Sequence, residues 1–418
     1  MKPKYFLPDW EDRLDPAFDF VNDRYSEAHN ESPYENDVYA HHLFREPPYE
    51  GILFSLSVFQ SKISLNHSGE IYQIRNHTNI KDYLKIPNRS GLEVMGDCGA
   101  FGYVKEKEPP KPFYSVANIA DLYAKLGFDY GVSVDHLVVD YIFIKNKETG
   151  KREKKPLSNN EKDRRIEITL QNAEDFLKLH RKQKYHFIPV GVAQGYNLET
   201  YKSSVRALIE IGYENIGIGG LVQYQTEFIL EVLDELQPYR NNSMKIHLFG
   251  ISRPNNLRDF EKLGVTSLDS ASFFRKAWLR SGQNYLAPSG NWYTAIRIPQ
   301  ASNPRILKYA DSNGLSLSDL KRMEKEALRA LTKYDEGLRK IDDVLDIVLR
   351  YDRLLLRNTE DGKNFEEKYR KTLSEMPWKN CDCEVCKNIG IHVVIFRGCN
   401  RNKRRGFHNI WTLRRTKM

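Results

Sequence analysis

Short apolar runs alternate with helical patterns through the middle of the chain. Between residues 92 and 279, six apolar runs of strand length are each followed by a segment whose apolar residues recur at helical spacing. In residues 198–211 these positions share one helix face, with Asn197 placed to begin the helix and Gly212 to end it. Repeated strand–helix units predict a parallel sheet with helical crossovers. Six in succession favour an α/β fold of the closed (β/α)8 TIM-barrel type over an open doubly wound sheet.

The same patterns predict the bounds of strands and domains. Strands are expected at 92–96, 130–134, 186–192, 215–218, 245–249 and 265–268, with helices at 115–126, 167–181, 198–211, 228–236, 256–263 and 272–279. Residues 1–50 show little periodicity and predict an irregular N-terminal arm, so the barrel core is expected at 51–300. An apolar stripe over residues 316–357 indicates a helical insertion at 301–379, followed by a C-terminal element at 380–418.

Polar or aromatic residues stand at the carboxyl ends of the predicted strands. They are Asp97, Asp135, Gln194, Gly219 with Gly220, Phe249 with Gly250, and Asp269. Barrel enzymes build their active sites at this edge, so these groups are expected to converge on one face. Gly99 and Phe101 follow Asp97 and would let a flat ligand approach it, so we predict that Asp97 acts on a nucleobase. The alternative is a structural aspartate that caps the next turn.

Basic residues are unevenly distributed in this chain of 418 residues, which carries a formal net charge of +8. Residues 397–418 hold eight Lys or Arg and no acid, which favours a polyanion partner over a solvated, frayed terminus. Residues 145–165 hold nine basic and four acidic residues and indicate a charged surface loop, or one that touches a phosphate backbone. No apolar run approaches the roughly 18 residues that span a bilayer, and a cytoplasmic protein without membrane contact is expected.

Three of the five cysteines lie close together near the C-terminal end. Cys381, Cys383 and Cys386, followed by His408, give the spacing Cys-x-Cys-x2-Cys-x21-His. Three thiolates and an imidazole suit a tetrahedral, structural Zn²⁺ site with no open position. His392 is the competing fourth ligand, although it lies in an apolar run. The tight spacing and odd count favour a metal site in a reducing compartment over a disulfide framework.

These motifs together resemble the tRNA-guanine transglycosylase superfamily, and in particular its DNA-acting branch from deazapurine-in-DNA modification systems. The resemblance rests on GDCGAF at 96–101, GVAQG at 191–195, IGIGGL at 216–221, SLD at 267–269 and the zinc signature. It implies that a guanine is exchanged for a 7-deazaguanine base on an intact sugar–phosphate backbone. It further implies that Asp269 is the nucleophile and Asp97 the general acid/base. In the implied guanine pocket, Asp135 and Gln194 contact the guanine edge and Phe101 and Phe249 stack on the ring. Backbone amides also contact the base, at Gly219, Gly220 and Leu221.

Departures from the tRNA-acting members point to DNA as the substrate. A helical stretch replaces a short connection at residues 298–379, and only ten residues follow His408 where those members continue further. The incoming base is expected to be 7-cyano-7-deazaguanine (preQ0), with other proteins of the modification system as further candidate partners. The first alternative is the same exchange on tRNA, and the second is a non-catalytic zinc-containing nucleic-acid-binding protein that uses the basic tail.

Overall fold

The computed structural model describes residues 2–65, 71–146, 150–241, 243–279, 282–312, 314–355 and 359–416. The chain forms two compact units. The first combines Met1–Trp10 with Tyr49–Ala271, and the second combines Glu11–Pro48 with Ser272–Lys417. The finer boundaries at residues 300 and 380 stay predictions.

The first unit is built on a closed barrel of eight parallel strands. These are β1 (Lys4–Asp9), β2 (Gly51–Ser55), β3 (Glu93–Asp97), β4 (Tyr130–Val132), β5 (Ile188–Ala193), β6 (Asn215–Ile218), β7 (Lys245–Leu248) and β8 (Val265–Asp269). Neighbours in the barrel are neighbours in the chain, and β1 closes it by pairing with both β2 and β8. The predicted (β/α)8 barrel is therefore confirmed.

Helices follow most of these strands and begin and end at residues suited to that purpose. The helices of this unit are Leu56–Phe59, Ile80–Tyr83, Val116–Leu126, Asn159–Gln183, Leu198–Ile211, Thr226–Glu235 and Leu257–Lys262. At Leu198–Ile211, Asn197 and Thr200 form a capping box, and Gly212 ends the helix at a φ of 105°. Two antiparallel strand pairs also lie in this unit: Ile63–Leu65 with Tyr72–Ile74, and Tyr141–Lys145 with Arg152–Pro156.

Apolar side chains from β1 to β5 fill the barrel interior. Phe6, Leu53, Met95, Val132, Val190 and Val192 form one buried cluster. Side chains alternate between the two faces of a strand, so each strand contributes its inward-facing residues to this core. The polar residues Asp97, Asp135 and Asp269 stand at or just beyond the carboxyl ends of their strands, outside this apolar cluster.

The expectation of an irregular N-terminal arm is wrong in one respect. The irregular arm expected at 1–50 contains a barrel strand, β1, which the alternation of strands and helices could not reveal because no helix of comparable length follows it. The run at 52–59 is a strand only as far as Ser55. It continues as the helix Leu56–Phe59, in which Leu56 and Phe59 remain buried.

The second unit is largely helical. Its helices are Glu27–Glu31, Pro33–Asn36, Ser272–Lys276, Pro304–Ser312, Leu317–Asp335, Ile341–Asp352, Thr359–Glu375, Glu384–Ile389 and Gly398–Thr416, with short strands at Tyr285–Leu286, Trp292–Tyr293, Ile296–Arg297 and Ile395–Phe396. The stripe expected over 316–357 forms two of these helices, and residues 356–357 lie outside the described part of the chain. Within that part, no helix is both long and apolar enough to cross a membrane.

The basic residues at 397–405 are mostly used inside this unit. Arg397 and Arg401 both form ion pairs with Asp23, and the Nη2 of Arg404 donates to the carbonyl of Asp15 at 3.0 Å. Arg405 is fully buried and donates to three backbone carbonyls, those of Ala277, Val393 and Ile395. The expectation that this stretch is a solvent-facing polyanion footprint is therefore wrong for these four arginines, which stabilise the second unit instead.

Candidate active site and metal centre

Asp269 ends strand β8 with one carboxylate oxygen held in place. Its Oδ1 accepts a hydrogen bond of 2.9 Å from the backbone N–H of Gly250. The side chain is buried, with 4% of the residue exposed. Among the described residues, Oδ2 receives no hydrogen bond. One oxygen is therefore held by the protein, while the other makes no such contact with the described residues.

The sequence analysis missed a second partner of Asp269, the buried His247 on strand β7. His247 Nε2 lies 3.2 Å from Oδ1 of Asp269, and its Nδ1 lies 2.9 Å from the Ser267 hydroxyl. A carboxylate can only accept, so Nε2 carries the proton and Nδ1 accepts from Ser267. A lone histidine on a strand has no sequence signature. The one available signal is that His247 lies two residues before Phe249 and so shares a strand face with it.

Asp97 ends strand β3 and is held beside two other carboxyl groups. The backbone of Gly99 and the side chain of Ser55 lie beside it and favour its charged form. Burial, together with the negative charges of Asp135 and Asp269, raises the pKa of Asp97 to about 7. A carboxyl group with that pKa is divided between its acid and base forms near neutral pH, which suits a group that gives and then takes a proton.

Asp135 and Gln194 form a buried pair beside Asp97. The amide Nε2 of Gln194 donates to Oδ2 of Asp135 at 2.7 Å, and the thiol of Cys98 donates to Oδ1 at 3.2 Å. Three atoms lie within 4.8 Å of one another: a carboxylate oxygen of Asp97, a carboxylate oxygen of Asp135 and the sulfur of Cys98. Burial raises the pKa of Asp135. Cys98 thus helps to orient the Asp135 carboxylate.

Glycines at the end of β6 leave room for this pair. A Cβ atom on Gly219 would lie 2.5 Å from the Nε2 of Gln194, so a side chain there would displace the amide. Gly220 has a φ of 75°, and Leu221 begins a short 3₁₀ helix with its side chain fully buried. The structure therefore places Gly219 and Gly220 next to the Gln194 side chain, and Leu221 follows directly in sequence.

The two expected stacking residues differ in their surroundings. Phe101 lies in the 3₁₀ helix Ala100–Tyr103 and is 72% exposed, so its ring is not used for packing the core. Phe249 directly follows β7 and is partly buried, with its ring centroid 4.6 Å from that of His247. Both rings therefore flank strand ends that carry carboxylates, Asp97 in the first case and Asp269 in the second.

Three cysteines and a histidine of the second unit form the cluster expected from their spacing. The Nδ1 atom of His408 lies 3.6, 3.3 and 3.4 Å from the sulfurs of Cys381, Cys383 and Cys386. Tetrahedral Zn²⁺ with Zn–S of about 2.3 Å and Zn–N of about 2.0 Å requires S···N separations of about 3.5 Å. The three S···N distances therefore agree with this ion, and all four buried ligand atoms lie within 4.8 Å of one another. His392 is not part of the cluster, and its ring instead lies beside Phe20.

Contacts around His408 set the orientation of its ring. The opposite nitrogen, Nε2, lies 2.8 Å from the carbonyl oxygen of Leu286, to which it donates. The ring of Tyr285 stacks on the imidazole with centroids 4.1 Å apart. A hydrogen bond that fixes the distal nitrogen leaves Nδ1 free of a proton and directed at the metal, as in other metal sites of proteins. These residues could hold a structural metal.

The sequence is similar to a known protein family and to known proteins. The family model "TGT: Queuine tRNA-ribosyltransferase" matches residues 151–340. The "DNA-guanine transglycosylase" of Salmonella montevideo is 38% identical over 417 residues, which cover 99% of this chain and 96% of that protein. The "Queuine tRNA-ribosyltransferase" of Moorella thermoacetica is 31% identical over 116 residues, covering 27% of this chain and 31% of that protein.

The barrel, the carboxylates at its rim and a similarity that covers 99% of this chain and 96% of its relative define the class of protein. The chain belongs to the tRNA-guanine transglycosylase superfamily. It is an enzyme, a guanine transglycosylase of the pentosyltransferase class. The resemblance inferred from the sequence motifs is thereby confirmed, including its similarity to a DNA-guanine transglycosylase.

Proposed function

We propose that this enzyme replaces guanine in DNA with a 7-deazaguanine base, 7-cyano-7-deazaguanine (preQ0), through a covalent intermediate on Asp269. The observation that supports the mechanism is that the two oxygens of the Asp269 carboxylate have different surroundings. The Gly250 N–H and His247 hold Oδ1, while Oδ2 accepts no hydrogen bond from the described residues. Glycosidic carbons are attacked by carboxylates held in this way in retaining enzymes.

The reaction then proceeds in two balanced displacements. In the first, an Asp269 oxygen attacks C1′ of the sugar, the C1′–N9 bond breaks, and its electron pair goes to the leaving guanine. Asp97 donates its proton to that base, which departs neutral. In the second, N9 of the incoming deazaguanine attacks C1′, loses its proton to Asp97, and displaces Asp269. The pKa of Asp97, raised by burial to about 7, allows both transfers near neutral pH.

The proposed base pocket uses the buried pair and the two rings. Asp135 accepts from the N1–H and N2–H groups of guanine, while the Gln194 amide donates to O6. The backbone amides of Gly219, Gly220 and Leu221 complete the edge contacts. Phe101 and Phe249 stack on the two faces of the base, which has to leave its helix to reach them.

DNA is proposed as the substrate because of the extent of the similarity. The relative named for DNA covers 99% of this chain, whereas the relative named for tRNA covers 27%. The name of the matching family model keeps tRNA as the second candidate. The reading as a non-catalytic basic-tail binder loses support, because Arg397, Arg401, Arg404 and Arg405 are engaged inside the second unit.

The metal proposed for the Cys381, Cys383, Cys386 and His408 cluster is Zn²⁺, and its role is structural. Four protein ligands leave no open position for substrate, so the ion supplies folding free energy to the second unit. Thiolate ligands need a reducing environment, which agrees with a cytoplasmic location.

The test of the proposed function is to trap the intermediate. The full-length enzyme is incubated with guanine-containing DNA, or with tRNA, and denatured. A covalent protein–DNA adduct is expected for the native enzyme and no adduct for Asp269→Ala. Mass spectrometry of nucleosides then detects preQ0 in DNA. An adduct that persists in Asp269→Ala would refute the nucleophile, and preQ0 incorporated into tRNA but not DNA would refute the substrate.

A further inference from the structure

A two-stranded hairpin projects from the connection between β4 and β5. It consists of Tyr141–Lys145 and Arg152–Pro156, paired antiparallel, and we call it the basic hairpin. The register places Phe143 opposite Lys154 and Lys145 opposite Arg152. Directly opposed residues share a face of a two-stranded sheet, so one face carries Tyr141, Phe143, Lys145, Arg152 and Lys154. We call it the cationic face.

The two faces of the basic hairpin differ in charge. The cationic face holds three basic residues and no acid. The opposite face holds Lys155 and Glu153, whose charges cancel, together with Ile142 and Ile144. No carboxylate of the described residues forms a salt bridge with Lys145, Arg152 or Lys154. This cationic face therefore keeps its positive charge available for a polyanion.

Aromatic rings and cations are arranged in pairs on the cationic face. The guanidinium of Arg152 lies 4.8 Å from the ring centroid of Phe143, and the ammonium of Lys154 lies 4.2 Å from that of Tyr141. Both rings are exposed, by 37% and 39% respectively. Exposed rings interleaved with cations are what surfaces for unstacked nucleic acid use, because cations meet phosphates while rings stack on bases.

The base of the hairpin is tied to the proposed guanine pocket. The backbone N–H of Val138 donates to Oε1 of Gln194 at 3.3 Å, and the other end of that amide donates to Asp135 at 2.7 Å. The carbonyl of Asp140 accepts from the N–H of Leu157 at 2.9 Å, which joins the two strands at their base. Lys162 holds the Asp140 carboxylate at 2.6 Å. The hairpin thus begins near the proposed active site, and hydrogen bonds and an ion pair hold its base in place.

We propose that the cationic face of the basic hairpin binds the DNA strand that carries the target guanine, on the segment flanking the flipped nucleotide. The inference rests on the proposed function, since it takes DNA as the substrate. A five-residue strand extends about 17 Å, long enough to follow several phosphates of one strand. Flipping a base leaves its neighbours partly unstacked, and the rings of Tyr141 and Phe143 stack on those neighbours.

Lys154 and Lys155 provide a matched pair for the test, because they are adjacent, equally charged and on opposite faces. Binding of a fluorescein-labelled single-stranded oligodeoxynucleotide is measured by anisotropy across a salt series. Lys154→Ala is expected to weaken binding and to reduce the slope of log K against log salt by about 0.7. Lys155→Ala is expected to leave the slope unchanged. Phe143→Ala is expected to weaken binding about fivefold or more.

Base exchange separates this inference from the proposed function. In the hairpin variants, the KM for DNA is expected to rise while kcat stays unchanged, since the carboxylates are intact. Equal effects of Lys154→Ala and Lys155→Ala on affinity and salt slope would overturn the hairpin assignment, as would Phe143→Ala binding like the native enzyme. A native enzyme that exchanges guanine in tRNA only would overturn the proposed function, independently of any hairpin variant.

Discussion

The imidazole of His247 lies 3.2 Å from the carboxylate of Asp269, across two neighbouring strands of the barrel. The contact is buried and extends to the Ser267 hydroxyl. It fixes which oxygen of Asp269 faces the protein, and so, in the proposed mechanism, which oxygen attacks the sugar. His247 is therefore a positioning residue for the proposed nucleophile.

Removing this ring should slow formation of the covalent intermediate. His247→Ala is expected to reduce the single-turnover rate of adduct formation by about 10- to 100-fold, because a misplaced nucleophile loses its alignment with C1′. His247→Gln, which retains an N–H donor, should recover part of this loss. Asp135 and Gln194 are untouched in both variants, so the proposed hydrogen bonds to the guanine edge should be kept. An adduct rate in His247→Ala equal to that of the native enzyme would contradict this role.

The activity should depend on pH through Asp97. Its pKa is raised to about 7, so the acid form that protonates leaving guanine is lost as the pH rises through this value. We expect kcat/KM for guanine exchange to fall on the alkaline side. Asp97→Asn should lower the rate by about 10²- to 10⁴-fold and abolish that alkaline limb. A variant that kept the native pH profile would show that another group titrates.

The same carboxyl group should make folding stability depend on pH. The folded pKa of Asp97 lies above its ordinary value of 3.8, so the contribution of this group to stability is greatest below 3.8 and falls as the pH rises towards 7. Asp97→Asn removes this loss. The variant should therefore be more stable than the native enzyme at pH 8, by up to about 4 kcal/mol, and the difference should shrink on acidification. Denaturant unfolding at several pH values measures it.

The metal cluster provides a matched pair of cysteine variants. Cys383→Ser removes a buried ligand, and we expect loss of bound zinc and a lower melting temperature, because the ion contributes folding free energy. Cys399 is exposed and outside the cluster, so Cys399→Ser should keep both properties. Atomic absorption and calorimetry of the two purified variants make the comparison. Unchanged zinc content in Cys383→Ser would rule out the cluster as its binding site.

Local patterns were enough to predict much of the barrel and the composition of its rim. The helix Leu198–Ile211 and the strand Asn215–Ile218 have the bounds that periodicity and capping predict. Carboxylates at strand ends were predictable because parallel strands share one carboxyl edge. The cluster of three cysteines and a histidine was predictable because three of its members are close in sequence.

What could not be predicted depends on contacts between distant residues. The role of His247 arises from a neighbouring strand, and nothing adjacent in sequence marks it. The arginines at 401 and 405 have the local pattern of a solvated basic helix, yet partners far away in sequence allow their burial. The short strand Lys4–Asp9 was missed because its pairing with β8 is a property of barrel closure alone.

The ion pair between Arg401 and Asp23 joins residues 378 positions apart, which constrains how the protein is made on the ribosome. Synthesis proceeds from the N-terminus, so the segment Glu11–Pro48 emerges long before the helix that satisfies its carboxylates. Seven of the eight barrel strands, β2 to β8, are translated in the interval. The second unit therefore completes its packing only after the barrel sequence has been translated.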